Sequence, residues 1–139
     1  MTTNQALGAT LLRIALGLIF LAHSAYLKVF VFTLAGTAAY FESLGLPGIS
    51  AYAVAGAEIV GGLALLAGVR VREAALVLAT VAFGAVWAHG DAGWLFTNQG
   101  GGWEYPVFLG VACVAQALLG PGRFAVTLPS ATATVAAKA

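Results

Sequence analysis

The stretch LGATLLRIALGLIFLAHSAYLKVFVF, residues 7–32, carries only two formal charges, Arg13 and Lys28. Crossing a hydrocarbon core about 30 Å thick takes roughly 20 mostly apolar residues at 1.5 Å each. This one segment is therefore long enough to span a bilayer. Three more apolar stretches follow it, Ala51–Val69, Ala74–Ala88 and Tyr105–Leu119. The first of these meets the length outright, and the other two do so with their flanking residues. Only 8% of the 139 residues are charged and the mean hydropathy is +0.97, so no soluble fold of this size could cover the apolar surface. The reading is an all-α integral membrane protein, an antiparallel four-helix bundle whose solvent is the lipid bilayer.

The polar punctuation sets the elements. The first helix is predicted from near Gln5 to about Phe30. Thr33 to Gly48 is too short and too polar to span, and reads as a short interfacial segment with Phe41 and Leu44 on one face, stopped by Gly45 and Pro47. A second helix runs from about Ile49 to Ala67. Arg70-Val71-Arg72-Glu73 turns tightly into a third, which ends near His89. Gly90 to Gly102 is a glycine-rich connector. The last helix opens at Glu104-Tyr105-Pro106, with proline in the tolerated first turn, and stops at Gly120-Pro121-Gly122. Residues 1–124 form the membrane domain, and 125–139 are expected to be a disordered tail. The first span is read as a mature helix rather than a cleaved leader, because Met1 to Leu12 holds no Lys or Arg.

Charge gives the orientation. Four crossings place Arg70, Arg72, Arg123 and Lys138 on one side, with Arg13 close to it, and Lys28 alone toward the other. The positive-inside rule then puts both termini in the cytoplasm of an inner-membrane protein. Trp87, Trp94, Trp103 and Tyr105 gather at the outer boundary as an aromatic belt. Glycine makes up 18 of the 139 residues, several at close-packing spacing such as Gly61 with Ala57 and Gly62 with Glu58, which suits close helix approach.

Several function classes drop out. A net charge of +1 offers nothing to nucleic acid, and four spans leave no room for a soluble catalytic domain. Cys113 is the one cysteine, which excludes an internal disulfide or dithiol relay and reads as a small packing residue. His23 and His89 lack an HxxxH or ExxH pattern, so neither metal nor haem is expected. Gly100-Gly101-Gly102 lacks the strand, turn and lysine of a nucleotide cradle.

What remains is a set of polar groups inside the spans, each costing about 2.5–3.5 kcal/mol to insert and so needing a partner or a purpose. Arg13 lies about 9 Å from the cytoplasmic face, Glu58 roughly 15 Å from either face, and His23 about 7–10 Å below the outer one, by helical rise. Arg13 and Glu58 fall within one arginine's reach on antiparallel neighbours, which predicts a buried pair. A carboxyl at mid-depth cannot snorkel, and proton carriage is the chemistry it offers. Histidine suits proton transfer beside a quinol-like substrate. Trp94, Asn98, Gln99, Trp103, Glu104 and Tyr105 at the outer mouth could hold a flat polar ring or simply anchor the interface.

Arg13, Gly17, Phe20 and His23, then Tyr40-Phe41-Glu42-Ser43-Leu44-Gly45-Leu46-Pro47, Glu58-Ile59-Val60-Gly61-Gly62 with Leu65 and Gly68, Gly101-Gly102 with Glu104-Tyr105, and Gly120-Pro121-Gly122-Arg123 follow one another in an order that resembles the DoxX family of small four-helix membrane proteins. The likeness covers Leu11 to Phe124. Ser24 stands where many members have glycine. The family's lysine, four residues past the histidine, is Leu27 here, and Lys28 comes one place later, a turn of about 100° on an α-helix.

The resemblance implies a membrane subunit tied to redox chemistry, since the family name is shared with the small subunit of a thiosulfate:quinone oxidoreductase. The expectation is a component of a quinone-linked oxidoreductase system, with Glu58 and His23 handling protons and Arg13 orienting Glu58. Trp94, Asn98, Glu104, Tyr105, His89 and Lys28 would line the quinone site. A partner oxidoreductase subunit and a homodimer fit this picture, and whether the chain is itself an enzyme stays open. Two alternatives stand beside it: a non-catalytic scaffold that recruits a partner oxidoreductase, and a small-solute or proton transporter built on Glu58.

Overall fold

The computed structural model describes residues 1–126, which are all-helical, with five α-helices and no strand among them. The expected tail beyond residue 126, with Lys138, lies outside the described residues. Helix α1 (Thr3–Leu21) starts in a capping box: the Thr2 hydroxyl accepts from Gln5 N and the Gln5 side chain accepts from Thr2 N. It runs straight into a π-helical segment (Ala22–Val31), and the two together form one continuous rod. After Thr33 come α2 (Leu34–Ser43), α3 (Ile49–Ala67), α4 (Val71–Ala88) and α5 (Glu104–Leu119).

The α1–π rod, α3 and α4 are each long and apolar enough to cross a membrane, while α5 is apolar but shorter, at 16 residues. Helix α1 packs on α3, α3 on α4, α4 on α5 and α5 back on α1, with α2 laid against α3 and the π segment. The shared core holds Leu16, Phe20, Leu65, Leu78 and Cys113, all nearly inaccessible. The outward faces are apolar as well, with Leu11, Leu18, Val60, Leu63, Phe108 and Leu118 all exposed. Helices apolar on every side belong in lipid.

Without a hydrophobic drive between helices, close approach is what holds them. A Cβ added to Gly17 would come within 2.9 Å of Gly62 O, and one on Gly62 within 3.1 Å of Gly17 O, so α1 and α3 meet backbone to backbone. Gly61, one residue away, instead receives the Leu78 side chain of α4. The small-residue pattern thus serves two neighbours from one helix.

The π segment is the departure from the expected plain helix. An i→i+5 turn is rare and marks places where something interrupts the α ladder. Here His23 Nδ1 bonds Ile19 O at 2.9 Å, the carbonyl a regular α turn reserves for the His23 amide. Ser24 Oγ donates across to Ala55 O of α3 at 2.9 Å. Thr33 then reverses the chain at φ 62°, a costly conformation for a β-branched residue, and its hydroxyl caps α2 by accepting from Gly36 N.

Gly17→Val should therefore lower stability by about 1–3 kcal/mol through overpacking, read as a drop in melting temperature in mild detergent. Gly56→Ala, with open space around it, should leave the melting temperature unchanged or raised.

Candidate functional site

Glu58 is the tenth of nineteen residues in α3, at mid-height, and only 5% exposed. Its Oε2 pairs with Lys28 Nζ in a short ion pair. The expected Arg13–Glu58 pair is corrected by this contact. The reason lies in which way side chains lean. Cβ atoms tilt toward a helix N-terminus, so Lys28 leans back along the first rod toward Arg13 and Glu58 leans the opposite way along antiparallel α3. With Ser24 and Ala55 level, the two Cα atoms sit roughly 10 Å apart in depth, a gap these two side chains close.

The π segment supplies the register. Its wide turn carries residue i+5 to about where an α turn carries i+4. The one-residue offset of Lys28 from His23 is thereby absorbed, and the ammonium comes to face α3. Thr37 of α2, buried, gives its hydroxyl proton to Thr33 O at 2.9 Å and sits 3.4 Å from Lys28 O, closing the segment from the other side.

Arg13 does something different at the opposite end. It is 1% exposed, and its Nη1 donates to Leu65 O at 2.8 Å and Leu66 O at 3.2 Å, carbonyls in the last turn of α3. Nη2 donates to Arg123 O and Phe124 O at 3.2 and 3.4 Å. A guanidinium at a helix C-terminus satisfies orphan carbonyls and meets the negative end of the dipole. Thr10 completes the clamp: its hydroxyl donates to Arg123 O at 3.0 Å and accepts from Arg123 N at 2.7 Å. Val126 N donates to Ala67 O at 3.2 Å, so the chain after α5 is laced onto the ends of α1 and α3. Arg13 is far from the carboxylate it was expected to orient.

The Lys28–Glu58 pair forms part of the wall of a cavity of about 950 Å³ between the π segment, α2, α3 and α4. His23 and His89 line the same cavity, as do Thr37, Thr80 and Trp87. Four of the nine residues proposed from sequence thus share one space. Its size suits a drug-sized or lipid-sized molecule, and the lining is mostly apolar with a few convergent polar groups.

Trp94, Glu104 and Tyr105 border a separate groove of about 460 Å³ with Phe96, Val107, Phe108 and Val111. Glu104 Oε1 there accepts from Phe96 N at 2.9 Å, and Trp94 stands edge-on to Trp103 at 4.6 Å, so both brace the connector. Asn98 Nδ2 donates to Ala92 O at 2.8 Å and lies on neither wall. The two spaces meet where the His23 ring stacks on Tyr105, centroids 5.9 Å apart. Sequence reasoning missed Thr80 and Thr37 as cavity residues, and a threonine bonding its own helix gives no signal of that. Ser24 was visible as a departure from glycine, but its bond to α3 was not. Among the described residues no cluster of three or more metal-ligating side chains occurs.

The DoxX family model matches residues 8–91, more than half of the sequence, and the chain belongs to the DoxX family. A protein of Bacillus subtilis (strain 168) named "Putative oxidoreductase CatD" is 34% identical over 86 residues, which is 62% of this chain and 62% of that protein. The similarity therefore spans less than two thirds of the relative's length. No solved structure matches.

Removing one partner of a buried pair strands a charge at a cost of about 3–5 kcal/mol. Lys28→Met should thus destabilise strongly, while Lys28→Met combined with Glu58→Gln should recover most of the loss in detergent unfolding. Arg13→Lys should fail to replace arginine, because an ammonium cannot fork to four carbonyls, with a loss of about 2 kcal/mol or more and faster proteolysis near residues 120–126.

Proposed function

We propose that this chain is a four-span inner-membrane component of a quinone-linked oxidoreductase system, with both termini cytoplasmic. The observation that carries the reading is the Lys28–Glu58 pair set in the wall of a large apolar cavity that also holds His23 and His89. A structural ion pair alone needs no cavity beside it. The family membership and the oxidoreductase name of the B. subtilis relative support a redox setting.

The fit to a quinone rests on the donor set. A flat ring with two polar oxygens and an apolar tail needs a long apolar enclosure with polar groups near the ring. The cavity offers both: a mostly aliphatic and aromatic lining, with ammonium, carboxylate and imidazole groups along it. A quinone supplies two-electron, two-proton redox chemistry when bound. The chain's own part is to hold the ring, exclude water and exchange protons at Glu58 and the two histidines. Helix α5 serves as the fourth span when its flanking residues are added, and it packs against α4 and α1 as a bundle member. Arg70, Arg72 and Arg123 share the Arg13 end, which supports placing that end in the cytoplasm.

The protein extracted in mild detergent should retain a quinone detectable by mass spectrometry, and Glu58→Gln should carry less of it and lower the redox activity of its membranes. No quinone, together with unchanged activity in Glu58→Gln, would contradict the proposal. A stoichiometric partner without any small molecule in a native pull-down would instead favour a scaffold.

A further inference from the structure

The hydrogen-bonding character of the cavity wall is lopsided. Glu58 Oε2 is taken by Lys28, but Oε1 accepts no hydrogen bond from any described residue, on a side chain that lines the cavity. Each histidine places Nδ1 at 2.9 Å from a backbone carbonyl, Ile19 O for His23 and Gly100 O for His89. A carbonyl only accepts, so Nδ1 carries the hydrogen in both rings. In a neutral imidazole this leaves Nε2 as a bare acceptor. The hydroxyls of Thr37 and Thr80 also donate backwards, to Thr33 O at 2.9 Å and Leu76 O at 3.0 Å, and so present lone pairs.

Donors are fewer and worse placed. Lys28 Nζ, paired with Glu58, has its remaining N–H groups for a ligand beside that carboxylate, and Trp87 and Tyr40 are 62% and 45% exposed, toward the edge of the space. A ligand bearing only carbonyl oxygens would find Lys28 to donate to it but nothing to answer Glu58 Oε1 or the imidazole nitrogens. A ligand bearing hydroxyl protons would find partners for them.

We infer that the cavity is built to bind the reduced, dihydroxylated form of a quinone-type ring in preference to the oxidised, carbonyl-bearing form. One ring hydroxyl donates to Glu58 Oε1, and its oxygen lies close enough to the Lys28 ammonium to accept from it in turn. The histidines take the second hydroxyl or its proton on the outer side, where His23 is stacked on Tyr105. Charge-assisted hydrogen bonds of the first kind are the strong ones, and a site that lacks a matching partner rejects the isostere that cannot donate. The inference rests on the ring-binding reading of the previous section and adds to it the redox form that is held.

The test is equilibrium partition of a benzoquinone with a ten-carbon tail, and of its hydroquinone kept reduced without oxygen, between protein-loaded and empty nanodiscs. The wild-type protein should take up the hydroquinone at least tenfold more tightly than the quinone. The Lys28→Met/Glu58→Gln double variant, which removes both charges together and gives position 58 an amide donor, should bind the two forms within about threefold. Equal or tighter binding of the quinone by the wild type would overturn the inference while leaving ring binding intact. A preference that survives undiminished in the double variant would also overturn it. Uptake of neither form would sink both this inference and the ring-binding reading.

Discussion

A nearly buried carboxylate at mid-height in α3 needs a counter-charge, and the Lys28 end of this molecule is arranged around that need. Leaving Glu58 alone would cost several kcal/mol, and the ammonium that answers it hangs from a lysine leaning inward, against the usual tendency of such side chains to snorkel outward. Lys28 reaches Glu58 only because three separate features agree. The π segment rotates it onto the correct face, Ser24 fixes the depth of that segment against Ala55, and Thr37 closes over its backbone. Local strain at Thr33 and the rare π turn are the structural cost of holding one cation in one place. Such costs persist where they are part of a function.

The two ends of the bundle divide the work. At one end Arg13 spends its guanidinium on four backbone carbonyls and ties α1, α3 and the segment after α5 together. Gly17 and Gly62 bring α1 and α3 into backbone contact one turn farther in. That end is close-packed, with Arg13 itself almost inaccessible. At the other end α2 lies across the gap between the helices, and Glu58, Lys28, His23 and His89 line the space there. Rigidity below and a cavity above is the arrangement a binding site requires, since the groups lining it must be held against a fixed frame.

Much of this could be read from the residues, and the parts that could not share a cause. Length and hydropathy of the apolar stretches gave the helices, because a long uninterrupted apolar run satisfies its backbone in lipid as a helix, whereas barrel strands alternate. The motif order from Arg13 to Arg123 gave the family. Glu58, His23, His89 and Lys28 stood out because ionisable groups in apolar runs are conspicuous. Their pairing was not legible. Depth counted at 1.5 Å per residue put Arg13 and Glu58 within reach, but that count carries no azimuth, and Arg13 faces the α3 terminus instead. The π segment was equally hidden: nothing in Ala22–Val31 forbids an α-helix, and the cause lies in tertiary contacts of His23 and Ser24. Glu104 does border a groove with Trp94 and Tyr105, while one of its oxygens braces the connector at Phe96 N, and Asn98 bonds Ala92 O within the connector, details that their places in the sequence do not reveal.

Glu58 is answered by Lys28 rather than by Arg13. Only two lysines occur in the sequence, Lys28 and Lys138, so a lysine ammonium is an easily assigned probe. Solid-state NMR on bilayer-reconstituted protein, recoupling ¹⁵Nζ of lysine to ¹³Cδ of glutamate, reads the contact directly. The account predicts a strong dipolar coupling at salt-bridge range, about 4 Å or less, that disappears in Lys28→Met. Coupling of the Glu58 carboxyl to the guanidinium nitrogens of Arg13, with none to lysine, would contradict it.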